Sequence, residues 1–138
     1  MSTLHASSAD AAITRMLDIF PADEQDTIRY GIADNLRVIV CQRLMHDTKG
    51  LLLPAVEIMV NTPTVRNLIQ NNQLNTLPAA VATGREDGML AFDQCIYDLI
   101  QGGLLSEDEG MRHASNPESL RMNLKGIFLD ESRRILST

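Results

Sequence analysis

Histidine, cysteine and clustered acids carry most catalysis and metal binding, and this 138-residue chain uses them sparingly. His5, His46 and His113 lie far apart, and none is paired with another His, Cys or acid at a metal-ligand spacing. Cys41 and Cys95 have no histidine nearby in sequence to take a thiol proton. Each sits among apolar neighbours and reads as a small buried hydrophobe. Asp23/Glu24 and Glu107/Asp108/Glu109 fall at expected helix starts, where capping and solvation account for them. A phosphate-binding loop needs clustered glycines, then a lysine and a hydroxyl. Lys49-Gly50 supplies only the end of that pattern, and Leu51 stands where Ser or Thr belongs, so the segment reads as a hairpin turn. Neither a nucleotide nor a metal is expected to bind this chain alone.

Three polar features are harder to place. His5 sits among Thr3, Ser7 and Ser8 at the start of the chain. Arg66 and Asn67 begin the polar face of a short capped helix, which is either a solvated surface or a partner site. Asp93-Gln94 lies at the edge of an apolar helix, where local capping and hydrogen bonding across a packed interface are both open.

The bulk properties restrict partners more than activity. The formal net charge is -6, which argues against nucleic acid or an anionic membrane as the main partner. At 44% apolar and 22% charged residues, the composition is that of a globular domain rather than a disordered one. Apolar runs fall far short of the roughly 20 residues of a membrane span. The N-terminus lacks the basic and apolar segments of a signal peptide. Two cysteines do not make a disulfide framework, and thiols in a cytosolic protein are expected.

The elements that must position these residues are short. Ser7 or Ser8 caps a helix running to about Phe20, with Ala9, Ala12, Ile13, Met16, Leu17 and Phe20 on one face. Pro21 stops it. Asp23, Glu24 and Asp26 open a second helix, whose stripe is Ile28, Ile32, Leu36 and Ile39. Val38–Met45 and Leu51–Val60 read as the strands of a hairpin spanning about 38–60, with Pro54 confined to an edge or a bulge. Thr62-Pro63 starts a helix carrying Val65, Leu68 and Ile69. Another covers Leu77–Thr83. The next runs from Gly88 or Met89 to Gln101 and stops at Gly102-Gly103. Ser106-Glu107-Asp108-Glu109 has the form of a capping box. Leu120, Met122 and Leu124 alternate with polar residues, which fits a strand or a helix, and Ile127–Leu136 reads as a final helix. The fold class expected is mainly α: a short-helix bundle with a small antiparallel β-hairpin.

Several of these segments carry a family resemblance. Thr3-Leu4-His5-Ala6-Ser7-Ser8-Ala9 resembles the TLH-x-x-SA histidine box of bacterial secretion ATPases. Pro63-Thr64-Val65-Arg66-Asn67-Leu68-Ile69 is similar to the P-AIRNLI signature of type IV pilus retraction ATPases of the PilT group. Thr83-Gly84-Arg85-Glu86-Asp87-Gly88-Met89, continuing to Phe92-Asp93-Gln94, resembles the TG-x-x-x-GM…DQ segment of that group. Val56-Glu57-Ile58-Met59 matches its HEIM-like strand. Leu120–Lys125 looks more like the related PilU group.

The resemblance implies a RecA-like ATPase whose six subunits form a cytoplasmic ring at the base of the pilus. There, ATP and magnesium drive pilus depolymerisation and twitching motility. It implies a phosphate-proximal role for His5. It assigns Arg66 and Asn67, with Val65, Leu68 and Ile69 behind them, to motor coupling rather than to the chemical step. The implied partners are other motor subunits and the inner-membrane platform of the pilus, without nucleic acid and without a membrane span. Residues 1–21 correspond to a remnant of the RecA-like core and residues 22–138 to the C-terminal helical domain. The phosphate-binding loop, the acidic boxes and the N-terminal domain of the family pattern would precede residue 1. Ser2 and Asn71 replace a glycine and an acid of the pattern. The expectation is therefore a motor's C-terminal domain that is not catalytic alone. The alternative is a stand-alone protein that binds and modulates a full-length pilus or secretion ATPase.

Overall fold

A computed structural model describes residues 6–127. His5 and nearly all of the helix expected over Ile127–Leu136 lie outside them. The fold is a mainly α-helical bundle around one antiparallel hairpin, as the pattern predicts.

α1 (Ala9–Asp18) starts where Ser8 is extended and its hydroxyl oxygen accepts the Ala11 N–H at 3.4 Å. It ends two residues short of the expected Phe20. Ile19 is 69% exposed and Phe20 37%, so neither continues the buried face. α2 (Gln25–Asn35) hands over at Leu36 to β1 (Val38–His46). Ile39, expected on the helical stripe, is a strand residue: Leu36 is already extended, at ψ 138°.

β1 pairs with β2 (Leu52–Val60) from Val38↔Val60 to His46↔Leu52. Pro54 takes the edge position expected of it. Ile58 exchanges backbone hydrogen bonds with Leu90 on the side away from β1, at 2.8 and 3.0 Å. Pro54 lies four residues earlier and so shares that orientation; its missing N–H costs the β1–β2 ladder nothing.

α3 (Pro63–Gln70) is capped by Thr62, whose hydroxyl accepts the Val65 N–H at 3.3 Å. α4 (Leu77–Thr83) follows. α5 (Phe92–Gln101) begins later than the apolar spacing from Met89 predicts. Gly88 adopts φ +88°, and the chain then runs extended so that Leu90 pairs with Ile58. A glycine at positive φ followed by an extended pair is incompatible with a helix start there. α6 (Glu107–His113) is capped by Ser106, which accepts the Glu109 N–H at 3.2 Å. The reciprocal half of the expected box is absent, because the Glu109 carboxylate turns to the His46 N–H at 2.8 Å. α7 (Pro117–Leu124) settles the ambiguous tail as helix. Asn116 caps it, Pro117 occupies the first turn, and Leu120 and Asn123 are buried three residues apart.

Two apolar clusters hold these elements. In the first, Ala9, Ile13 and Leu17 of α1 pack with Met59, Val65, Ile69, Leu77, Val81 and Met89. In the second, the inward hairpin residues Cys41, Met45 and Ala55 pack with Phe92, Ile96, Leu105 and Leu120. Both cysteines are free thiols; Cys41 is buried and Cys95 half-buried, and burial pushes both thiols up in pKa. The hairpin thus spans both clusters, and a polar junction on its inner face joins them.

Candidate functional site

Inward positions of a hairpin should be apolar, and two here are not. Arg43 lies between Cys41 and Met45 on β1, and Glu57 between Ala55 and Met59 on β2. Burying either charge is unfavourable unless its hydrogen-bonding capacity is met.

Glu57 meets it with helix ends. One carboxylate oxygen accepts the Ala9 N–H at 2.8 Å and the other the Phe92 N–H at 3.4 Å. Ala9 and Phe92 are the first residues of α1 and α5, so one side chain closes two positive helix termini. Burial nevertheless raises the Glu57 pKa above 4.5. The two backbone N–H groups and Arg43 pull it down, and Asp10 adds to the rise.

Arg43 binds two carbonyl oxygens and a hydroxyl instead. It donates to His113 O at 2.7 Å, Ser7 O at 3.0 Å and Ser115 Oγ at 3.3 Å. His113 ends α6, so the guanidinium sits at a negative helix terminus. It also lies 4.0 Å above the Phe92 ring.

Asp93 and Gln94 complete the junction. The Asp93 carboxylate accepts the N–H groups of Ser115 and Asn116 at 2.7 and 2.8 Å, fixing the turn into α7. Gln94 is 2% exposed. Its oxygen accepts the Ala91 N–H at 3.0 Å and its amide donates to Ala82 O at 2.8 Å. Local capping and bonding across an interface, left open by the sequence, therefore both occur. Ser8, Arg43, Glu57, Asp93, Gln94 and Asn123 line one cavity of about 510 Å³. Segments far apart in sequence (Ser7–Ala9, Val56–Met59 and Phe92–Gln94) converge there.

The polar groups of this junction brace the elements around it, and both Glu57 oxygens are committed to backbone donors. Its reach is toward the start of the chain, because Ala9, which Glu57 clamps, lies four residues after His5. Arg43 and Glu57 were not among the sequence candidates as site residues. The signal that identifies them is a charge at inward parity in an apolar strand.

The α3 segment lies apart from the cavity. Val65 and Ile69 are fully buried in the first cluster and Leu68 is half-buried. Arg66 is on the surface, 2.7 Å from Asp34 of α2, and Asn67 is exposed. One sequence motif thus divides into an anchor of three apolar residues and a polar pair facing solvent.

Lys49-Gly50 lies in the turn of the hairpin. The Asp47 carboxylate accepts the Lys49 and Leu51 N–H groups, both at 2.8 Å, so those donors point into their own turn. Among the described residues no group of three or more His, Cys, Asp or Glu is arranged to hold a metal ion. No helix among them is long and apolar enough to cross a membrane.

Comparison with known proteins places this architecture. No family model matches the chain. It is 35% identical over 117 residues to the type IV pilus retraction ATPase PilT of Pseudomonas aeruginosa, covering 85% of this chain and 34% of that protein. It is 32% identical over 126 residues to the type IV pilus ATPase PilU of the same organism, covering 91% and 33%. A crystal structure of the pilus retraction motor PilT with bound ADP superposes with a TM-score of 0.75 at 28% identity, covering 86% of this chain and 33% of that one. Sequence and structure together point to the PilT- and PilU-like superfamily of type IV pilus and secretion ATPases, and the chain spans about a third of the length of the relatives it matches.

Proposed function

We propose that this chain is the C-terminal helical part of a PilT- or PilU-like motor, one that couples ATP hydrolysis to pilus retraction and twitching motility. It does not hydrolyse ATP alone. In this reading residues 1–21 belong with the RecA-like core and residues 22–138 form the helical domain. His5 stands near the phosphates of a nucleotide held by the rest of the motor. Val65, Leu68 and Ile69 anchor α3 so that Arg66 and Asn67 transmit force at the surface. The partners are the other subunits of a hexameric ring and the inner-membrane platform of the pilus, and the location is cytoplasmic and peripheral to that membrane. The observation that carries this reading is the superposition on the retraction motor over 86% of the chain.

The test is a chimera in which this chain replaces the matched third of Pseudomonas aeruginosa PilT, expressed in a strain lacking PilT. ATP turnover and twitching zones are measured together. Arg66→Ala and Asn67→Ala should leave turnover intact and abolish twitching, whereas His5→Ala should lower turnover itself. Magnesium-dependent ATP turnover by the pure chain alone would overturn the reading.

A second reading, a separate protein that docks on and modulates a full-length motor, is favoured by one observation. Each of the two apolar clusters buries residues drawn from several elements of this chain. Adding the pure chain to full-length PilT and measuring its ATPase rate distinguishes the two: a saturable change supports modulation.

A further inference from the structure

The two peptide groups on either side of Ser8 are held from two different strands. The Ser7 carbonyl oxygen accepts the Arg43 guanidinium of β1 at 3.0 Å, and the Ala9 N–H donates to the Glu57 carboxylate of β2 at 2.8 Å. Ser8 between them is extended, and its hydroxyl donates to Asp10 at 2.7 Å. A peptide unit is rigid, and only φ and ψ of Ser8 separate these two. Fixing both therefore fixes the direction from which the chain enters α1. The two clamps are themselves seated on Phe92. The Arg43 guanidinium lies 4.0 Å above its ring, and the second Glu57 oxygen accepts its N–H at 3.4 Å. The entering chain is thus referenced to the hairpin and to the start of α5.

Forming α1 does not require all of this. Ser8 already caps the helix through the Ala11 N–H, and its carbonyl accepts the first intrahelical bond from Ala12 at 3.0 Å. The Ser7 carbonyl precedes the cap, and Ser7 is exposed, so water would satisfy that oxygen. A hydrogen bond exchanged against water adds little net stability. What the Arg43 bond adds is orientation. His5 is two residues before Ser7, so its Cα lies within about 7 Å of the Ser7 Cα. Over so short a span, the direction imposed at Ser7 to Ala9 carries back to the histidine.

We propose that Arg43 and Glu57 are positioning residues for the segment that carries His5. They hold the Ser7 and Ala9 peptide groups so that His5 meets the phosphates of a nucleotide bound by the rest of the motor. The inference rests on the phosphate-proximal reading of His5 given above and adds to it the two side chains that aim it. Both act through the main chain, so their loss falls on kcat and leaves KM for ATP in place.

The chimera with Pseudomonas aeruginosa PilT tests this, with kcat and KM for ATP measured for each variant. Glu57→Ala removes one clamp. Arg43→Lys keeps the charge but loses the fork that spans Ser7 O and His113 O. Each should lower kcat at least ~10-fold with KM unchanged within about 2-fold, since misplacing a reacting group by about 1 Å can cost on the order of 100-fold. In a His5→Ala background the same substitutions should lower kcat by less than about 2-fold more, because the group they aim is gone. Gly110→Ala strains the second cluster without touching Ser7 or Ala9, and controls for lost stability; it should leave kcat within about 2-fold of its parent in either background. Clamp variants that keep full kcat while His5→Ala lowers it would overturn this inference alone. A further fall in the His5→Ala background as large as in its absence would show a merely structural role and overturn it as well. Full turnover by His5→Ala would overturn the phosphate-proximal reading of His5 and this inference with it.

Discussion

Replacing Glu57 tests the junction directly. Glu57→Ala removes the acceptor for two helix-starting N–H groups at once, those of Ala9 and Phe92. Losing a helix cap costs about 0.5–2 kcal/mol. Two caps, less the relief of no longer burying a carboxylate, give an expected destabilisation of about 2 kcal/mol. For a domain of this size that is a fall in Tm of about 8 °C. The pH dependence supplies an independent check. Burial raises the Glu57 pKa above 4.5, so the folded chain holds this proton more tightly than the unfolded chain does. From pH 4.5 up to the raised value, the folded state binds more protons. Stability contributed by this group is therefore complete below pH 4.5 and is lost as pH rises through the folded pKa. Glu57→Gln removes that limb, so the stability of wild type relative to Glu57→Gln should fall as pH rises. Urea unfolding at several pH values measures the gap, and amide exchange at Ala9 and Phe92 locates the damage. A cost for Glu57→Ala below about 0.5 kcal/mol would refute the account of a single carboxylate clamping two helices, and a wild-type stability that rises with pH relative to Glu57→Gln would refute the raised pKa.

Glu109 should behave with the opposite sign. The His46 N–H, then Arg112, His113 and His46 as charges, hold its carboxyl below 4.5 against the opposing effect of burial. Its contribution is present above pH 4.5 and is lost as pH falls through the folded value, so Glu109→Gln should flatten the acid limb of the urea midpoint profile. Gly110→Ala should cost about 1–3 kcal/mol in urea unfolding, because an added Cβ would lie 2.6 Å from Ile100 Cδ1 and 3.0 Å from Ile96 Cγ2 in the second cluster. Arg66→Ala should change stability by less than about 1 kcal/mol, since its bond to Asp34 is half-exposed; thermal unfolding checks that a lost function in the chimera is not lost folding.

The elements were legible wherever local chemistry decides them. Ser8 and Thr62 are side-chain caps, and Pro63 occupies a first turn, so these starts follow from residue type alone. The misplaced start of α5 shows the limit. Met89 and Phe92 have helical spacing, but Leu90 is pulled into extension by Ile58, over thirty residues earlier. The junction was hidden for the same reason. Nothing local to Glu57 reveals that its two oxygens meet Ala9 and Phe92, because those contacts exist only once both helices have docked on the hairpin.

That convergence changes what the matched motifs mean. Glu57, Asp93 and Gln94 lie in segments that resemble an ATPase family, yet each spends its polar atoms on backbone groups of neighbouring elements. In this chain these residues brace the scaffold. Arg66 and Asn67 are different. The helix beneath them is secured by Val65 and Ile69, so folding does not demand this particular polar pair. Stability explains the anchor and leaves the exposed pair unexplained, and it is at such positions that a motor's coupling surface is best sought.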